Sequence, residues 1–171
     1  DTIAGLQLTS GSVTGSTGVL TSTTNYDMQS GSVSAILAGN VGLIKTTSGT
    51  VTLSGENIYT GLTDVQAGIL AYGASNVVAN GASVKVSGGT LNIGTYSDTI
   101  AGLQLTSGSV TGSTGVLTST TNYDMQSGSV SAILAGNVGL IKTTSGTVTL
   151  SGANTYTGLT DVQAGILAYG A

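Results

Sequence analysis

Seven carboxylates and three lysines are the whole stock of charged side chains in these 171 residues, because arginine is absent and histidine and cysteine are missing too. Two carboxylates about 5 to 10 Å apart can act as acid and base on a glycosidic bond, and Asp27 and Asp64 are the pair whose spacing suggests it. Lys45 stands between them in sequence, with no arginine or histidine nearby to tune a proton transfer, so the glycosidase or lyase reading is weak. A Ser-His-Asp triad is impossible without histidine. The usual ligands of zinc, copper and haem are missing, and the dense Asp and Gly nonapeptides of calcium-binding β-rolls do not occur. No catalytic residue, metal ligand or cofactor is assigned, and the chain is read as not an enzyme. A net charge of -4 leaves no basic patch for a phosphate backbone, so nucleic acid is not an expected partner.

The elements that would position any such groups are repetitive. There are 28 glycines, no proline and few aromatics, yet mean hydropathy is positive, +0.35. That apolar, β-branched content sets the chain apart from disordered sequences. DTIAGLQLTSGSVTG at Asp1 returns at Asp98, and residues 98–171 repeat residues 1–74 with two differences, Glu56 against Ala153 and Ile58 against Thr155. The long period is therefore 97 residues. Asp1 opens in mid-pattern and not on a signal peptide, and the second copy stops within the period, so the expectation is a segment of a longer protein with more copies. No apolar run reaches the roughly 20 residues of a membrane span, and membrane insertion is not expected.

A shorter period lies inside the long one. A small residue, a glycine and a β-forming pair recur at Gly11, Gly31, Gly49, Gly68, Gly89, Gly108, Gly128, Gly146 and Gly165, and spacings of 20, 18, 19, 21 and 19 residues fill one 97-residue period. Two residues after each glycine of the first copy stand Val13, Val33, Val51, Leu70 and Leu91, while the flanking positions are mostly Ser and Thr. Such alternation is that of a half-buried strand. Coils of about 19 residues predict an all-β, single-stranded parallel β-helix, a β-solenoid of about nine coils, with stacked positions about 4.8 Å apart. Residues 1–171 read as one continuous segment: a first repeat of five coils, 1–97, and a partial second of about four, 98–171.

Counting back four residues from each glycine gives Gln7, Asp27, Lys45, Asp64, Lys85, Gln104, Asp124, Lys142 and Asp161, a column that holds seven of the ten charged residues. Stacked groups of alternating sign predict a ladder that fixes register and a charged face that discourages lateral aggregation. Alternation of sign argues against a cation track. Asn57 and Asn76 each stand eight residues after a coil glycine and are expected to stack as bend amides, with Asn154 repeating the role. Gly55, Gly61 and Gly68 are expected to supply positive φ or room at corners. Tyr59 and Tyr156 read as core plugs, with surface stacking on sugars as the alternative.

The stretch TLSGENIYTGLTDVQAGIL, Thr52 to Leu70, and its copy TLSGANTYTGLTDVQAGIL, Thr149 to Leu167, resemble the autotransporter-associated β-strand repeat, also called the passenger-associated transport repeat. Its pattern runs roughly T-L-S-G-x-N-T-Y-T-G-x-T-x-V-x-A-G-x-L. The resemblance implies a right-handed helix, in keeping with the usual hand of parallel crossovers, within a large secreted or surface-displayed protein anchored at the outer membrane of a Gram-negative bacterium.

The function expected is that of a rigid stalk or spacer, whose partners are adjacent repeats of the same chain, with end-to-end self-association and adhesive contacts to surface glycans or another cell. A ligand-specific adhesin is the alternative. An ice-binding solenoid is the lesser rival, since its flat Thr rank would be interrupted by Ile69, Ala71 and Asn92.

Overall fold

A computed structural model describes residues 1–170. Every regular element among them is a β-strand, and every recorded strand pair is parallel. Short runs such as Tyr26–Met28, Leu43–Lys45 and Thr63–Val65 alternate buried, half-buried, buried, because successive side chains of a pleated strand point to opposite faces. Each coil puts its inward residues against those of the coils above and below, and its backbone groups bond along the axis to the same neighbours.

Two long faces result. One stacks Gln7–Leu8, Tyr26–Met28, Leu43–Lys45, Thr63–Val65, the start of Ser83–Gly94, the start of Gly102–Gly112, Tyr123–Met125, Leu140–Lys142 and Thr160–Val162. The other stacks Ser12–Val13, Gly31–Val33, Thr50–Leu53, Ile69–Tyr72, the ends of the same two long strands, Gly128–Val130, Thr147–Leu150 and Ile166–Tyr169. Because Ser83–Gly94 and Gly102–Gly112 run through the bend, both faces join in a 16-stranded sheet. A third side closes the coil with strands Thr2–Ile3, Val19–Ser22 and Ile36–Ala38, and again with Asp98–Ile100, Val116–Ser119 and Ile133–Ala135. The result is a β-solenoid of about nine turns at about 19 residues each.

The core is a set of axial files. Val33, Val51, Leu53, Leu70, Leu91, Val110, Val130 and Val148 are fully or almost fully buried, and each such side chain contributes about 1.5–3 kcal/mol when taken out of water. Larger cross-sections are filled by tyrosines in tilted pairs, Tyr26 with Tyr59 at 6.1 Å and Tyr123 with Tyr156 at 5.9 Å between ring centres. The Tyr26 hydroxyl sits 2.6 and 2.7 Å from the Leu20 and Ala38 carbonyls and accepts from the Ala38 N–H, so its polar end is satisfied inside the coil. The Tyr59 hydroxyl meets Thr63 Oγ1 at 2.6 Å.

On the second face the register follows the glycine rank at most steps. Val13 pairs with Val33, Leu70 with both Val51 and Leu91, and Val110 with Val130. Between the second and third coils, however, Gly31 pairs with Val51, two residues beyond Gly49, and Gly128 pairs with Val148 in the second copy. The bend before Thr50 is wider than the one before Gly31, and the next strand is displaced by one full pleat. A shift of two keeps every side chain on its own face, so the core is undisturbed.

Candidate functional site

The outward file on the first face is built by strand pairing. It reads Gln7, Asp27, Ile44, Asp64, Lys85, Gln104, Asp124, Ile141 and Asp161. This departs from the column counted back from the glycines. Lys45 and Lys142 are not in it; they pair with Met28 and Val65, and with Met125 and Val162, in the inward file one residue along. The physical reason is the widened bend: Gly49 lies one residue further from its strand than Gly31 or Gly68 does, so counting from the glycine lands on the wrong face. Isoleucine therefore breaks the sign alternation on the surface.

The carboxylates of this file are held by neutral donors. Asp27 accepts from Gln7 Nε2 at 2.7 Å, Gln29 Nε2 at 3.1 Å and Thr46 Oγ1 at 3.1 Å. Asp124 repeats this with Gln104, Gln126 and Thr143. Asp64 accepts from Gln66 at 3.0 Å and Ser87 at 2.7 Å, and Asp161 from Gln163 at 2.8 Å. Every clamp is an Asp followed two residues later by Gln, the pair that projects on the same side of a strand. The Gln7 amide, ahead of the opposing effect of burial, holds the Asp27 carboxyl below its usual range. Such hydrogen bonds stabilise a carboxylate and leave it a poor proton donor at neutral pH.

Lys45 and Lys142 are buried, with no accessible surface. The Lys45 ammonium turns along the inside of the corner and donates to the Thr47 carbonyl and, at 3.2 Å, to the Ala67 carbonyl; Lys142 does the same with Thr144 and, at 3.2 Å, Ala164. Burial lowers the Lys45 pKa, against the opposing attraction of Asp27. The lysine thus staples the widened bend of one coil to the corner of the next. Lys45→Met, which places the residue type of Met28 in the same file, is expected to pack well yet cost about 1–3 kcal/mol, because two carbonyls lose a charged donor. Equilibrium urea unfolding measures it, and an unchanged midpoint would show that the staple contributes nothing.

The remaining sequence-derived positions are distributed as follows. Gly11, Gly31, Gly68, Gly108, Gly128 and Gly165 have positive φ, whereas Gly49, Gly89 and Gly146 lack it and sit where an added Cβ would lie under 3.0 Å from Ser30, Val65 or Ser127. Gly55 and Gly61 likewise serve close approach, to the backbone of Ala35 and Val41. Asn57 bridges three coils, accepting from the Leu37 N–H at 2.9 Å and donating to the Val77 carbonyl at 2.7 Å. Asn154 accepts from the Leu134 N–H at 2.8 Å. Asn76 does not stack on Asn57: it is exposed, with φ of 57°, and its N–H donates to the Ser97 carbonyl. Val77 takes the inward place, because the chain before it makes a left-handed turn.

Sequence reasoning overlooked Asp98. Its carboxyl is 2% exposed inside the coil and accepts from the N–H groups of Val78 at 3.0 Å and Thr99 at 2.8 Å. Burial pushes it up to about 6, against the pull of those donors. The buried Tyr72 hydroxyl points toward it without closing a hydrogen bond. The available signal was Ile100, whose inward place two residues on puts Asp98 on the same side. Among the described residues no group of His, Cys, Asp or Glu could hold a metal ion.

Where isoleucine interrupts the outward file, the surface is hollowed. Asn25, Asn40, Val41, Ile44, Leu62 and Asp64 line one open recess, and the equivalent residues of the second copy, Asn122 to Asp161, line another. The Asn25 and Asn40 amide oxygens are engaged by the Gly42 N–H and the Thr60 hydroxyl, which leaves their NH₂ groups as donors.

A model of the passenger-associated-transport-repeat matches residues 43–71 and 140–168. The Adhesin BmaC autotransporter of Brucella suis biovar 1 (strain 1330) is 36% identical over 139 residues, covering 73% of this chain and 4% of that protein. The chain thus spans a small fraction of the length of the relative it resembles. No solved structure matches. Both matched stretches contain the widened-bend lysine, the Asp-Gln clamp and the Asn bridge, so the chain carries two passenger-associated transport repeats, one in each copy of the long period.

Proposed function

We propose that this segment is a length-setting spacer of a surface-displayed protein of a Gram-negative bacterium anchored at the outer membrane, and that it performs no catalysis. Residues 1–97 are the repeating unit and residues 98–171 the start of the next, each coil serving as the partner of its neighbour. The observation that supports this most directly is that the parallel stacking runs on across the boundary between copies: the longest strands, Ser83–Gly94 and Gly102–Gly112, pair there, with register shifts after Val86, Ser87 and Asn92. The Asp-Gln clamps, the turning glycines and the Asn bridges are in this reading determinants of register.

Five coils rise about 24 Å at about 4.8 Å each. Proteins carrying one, two and four tandem 97-residue units are therefore expected to lengthen by about 24 Å per unit in small-angle scattering. A maximum dimension that fails to grow linearly would remove the spacer reading.

A second reading, adhesive contact with a glycan or another cell, is favoured by the recess around Ile44 and its copy around Ile141, which offers amide donors, a carboxylate and apolar walls once per unit. The relative's name, an adhesin, agrees with it. Binding to glycans or cells that disappears on filling both recesses, Ile44→Lys with Ile141→Lys, is the expected result; binding that persists places the contact elsewhere.

A further inference from the structure

Nine asparagines occur in the chain, and eight precede tyrosine, valine, isoleucine or threonine; the ninth, Asn80, precedes Gly81. The following residue matters because an asparagine side-chain carbonyl carbon can be attacked by the backbone nitrogen of the next residue, and a branched or aromatic side chain on that residue blocks the approach. Seven of the eight shielded asparagines are further fixed by a hydrogen bond to the side-chain oxygen: Asn25, Asn40, Asn57, Asn92, Asn122, Asn137 and Asn154. Asn76, which has no such bond, is followed by Val77.

Asn80 is exposed at the centre of a turn closed by the Ala82 N–H on the Ala79 carbonyl at 2.8 Å. The Gly81 N–H donates to no backbone acceptor among the described residues. A Cβ built on Gly81 would meet nothing within 4 Å, and its φ is not in the left-handed region. The fold therefore makes no demand for glycine at 81, and the space around the nitrogen is open.

We propose that Asn80–Gly81 is a site of spontaneous deamidation, which adds one negative charge to each complete 97-residue unit as the protein ages. The Gly81 nitrogen, deprotonated by solvent base, attacks Asn80 Cγ. A C–N bond forms, the Cγ–NH₂ bond breaks and ammonia leaves, giving a five-membered succinimide. Water then opens the ring at either carbonyl, yielding aspartate or isoaspartate at position 80. Nothing is oxidised or reduced, and water is the only co-reactant. Proximity of nucleophile and carbonyl within one residue supplies the rate, and glycine's lack of a side chain removes the steric barrier. The isoaspartate product carries an extra backbone carbon into the turn that leads directly to Ser83–Gly94.

The folded 171-residue protein, held at mildly alkaline pH, is expected to develop a single more acidic band in isoelectric focusing, with isoaspartate mapped by mass spectrometry to the peptide containing position 80. Gly81→Ala, which the open space should accommodate without change in the thermal unfolding midpoint, is expected to lose that band. Its persistence in Gly81→Ala, its mapping to another asparagine, or its appearance only after unfolding would each overturn the proposal.

Discussion

Gly31→Ala is expected to destabilise the solenoid by about 3 kcal/mol or more, among the larger effects a single added methyl group can have. Gly31 has φ of 124°, and a Cβ there would lie 2.2 Å from the carbonyl oxygen of Gly11 in the preceding coil. Backbone strain and steric overlap therefore act together. The obstruction is backbone, not the end of a flexible side chain, so relief requires the two coils to separate, and that breaks their hydrogen bonds on both sides of the bend. Gly128, with φ of 128° and a Cβ 2.3 Å from the Gly108 oxygen, should respond alike. Gly18→Ala is the control, since nothing lies within 4 Å of its Cβ, and a surface change of that kind stays within about 0.5 kcal/mol apart from any gain in rigidity. Urea midpoints read the difference. Equal midpoints for Gly31→Ala and Gly18→Ala would contradict the packing described at the corners.

The second large effect is a stability that falls as pH rises from about 4 to about 6. Asp98 titrates at about 6 in the folded chain against 3.8 ordinarily. In that window the folded state binds more protons than the unfolded state, so the slope of unfolding free energy with pH is negative. The stabilisation is complete below the unfolded value and gone once pH passes the folded one, an effect on the order of 3 kcal/mol at about 1.4 kcal/mol per unit. Asp27, shifted the opposite way by Gln7, loses stability only as pH falls below the ordinary carboxylate range and so does not mask this window. Asp98→Asn keeps an acceptor for the Val78 N–H and removes the titration. Thermal unfolding from pH 4 to 7 should show a falling midpoint for the unaltered chain and a flatter profile for the variant; parallel profiles would mean that Asp98 ionises without consequence for folding.

The solenoid itself could be read from residues, because glycine, small residue and alternating pair recur often enough to fix the coil length. Alternation after the coil glycines, as in TVTL, predicted which side chains turn inward. What failed was register across a bend of altered length. Lys45 is followed by Thr46, Thr47 and Ser48 before Gly49, just as Asp27 is followed by three residues before Gly31, so nothing local shows that one belongs inside and the other outside. Only the hydrogen-bonded neighbour decides, by placing Ile44 beside Asp27. A buried lysine also runs against the usual segregation of charge, and its compensation, carbonyls from two different coils, is a tertiary fact. Asp98 escaped for the same reason. Its buried neighbours, the donor Val78 and the Tyr72 ring, belong to the preceding coils and carry no mark of it in their own sequence.

The axial direction of the inter-coil hydrogen bonds has a mechanical consequence. Tension applied between the two ends of such a rod bears first on a terminal coil, whose bonds open one after another while the inner coils stay shielded. One released coil of about 19 residues can extend to about 60 Å in place of the about 4.8 Å it occupied. A filament built this way would yield under load in discrete steps of roughly twelve times the folded rise, dissipating force as slack and not as fracture, and the lysine-stapled bends would set the steps that resist longest.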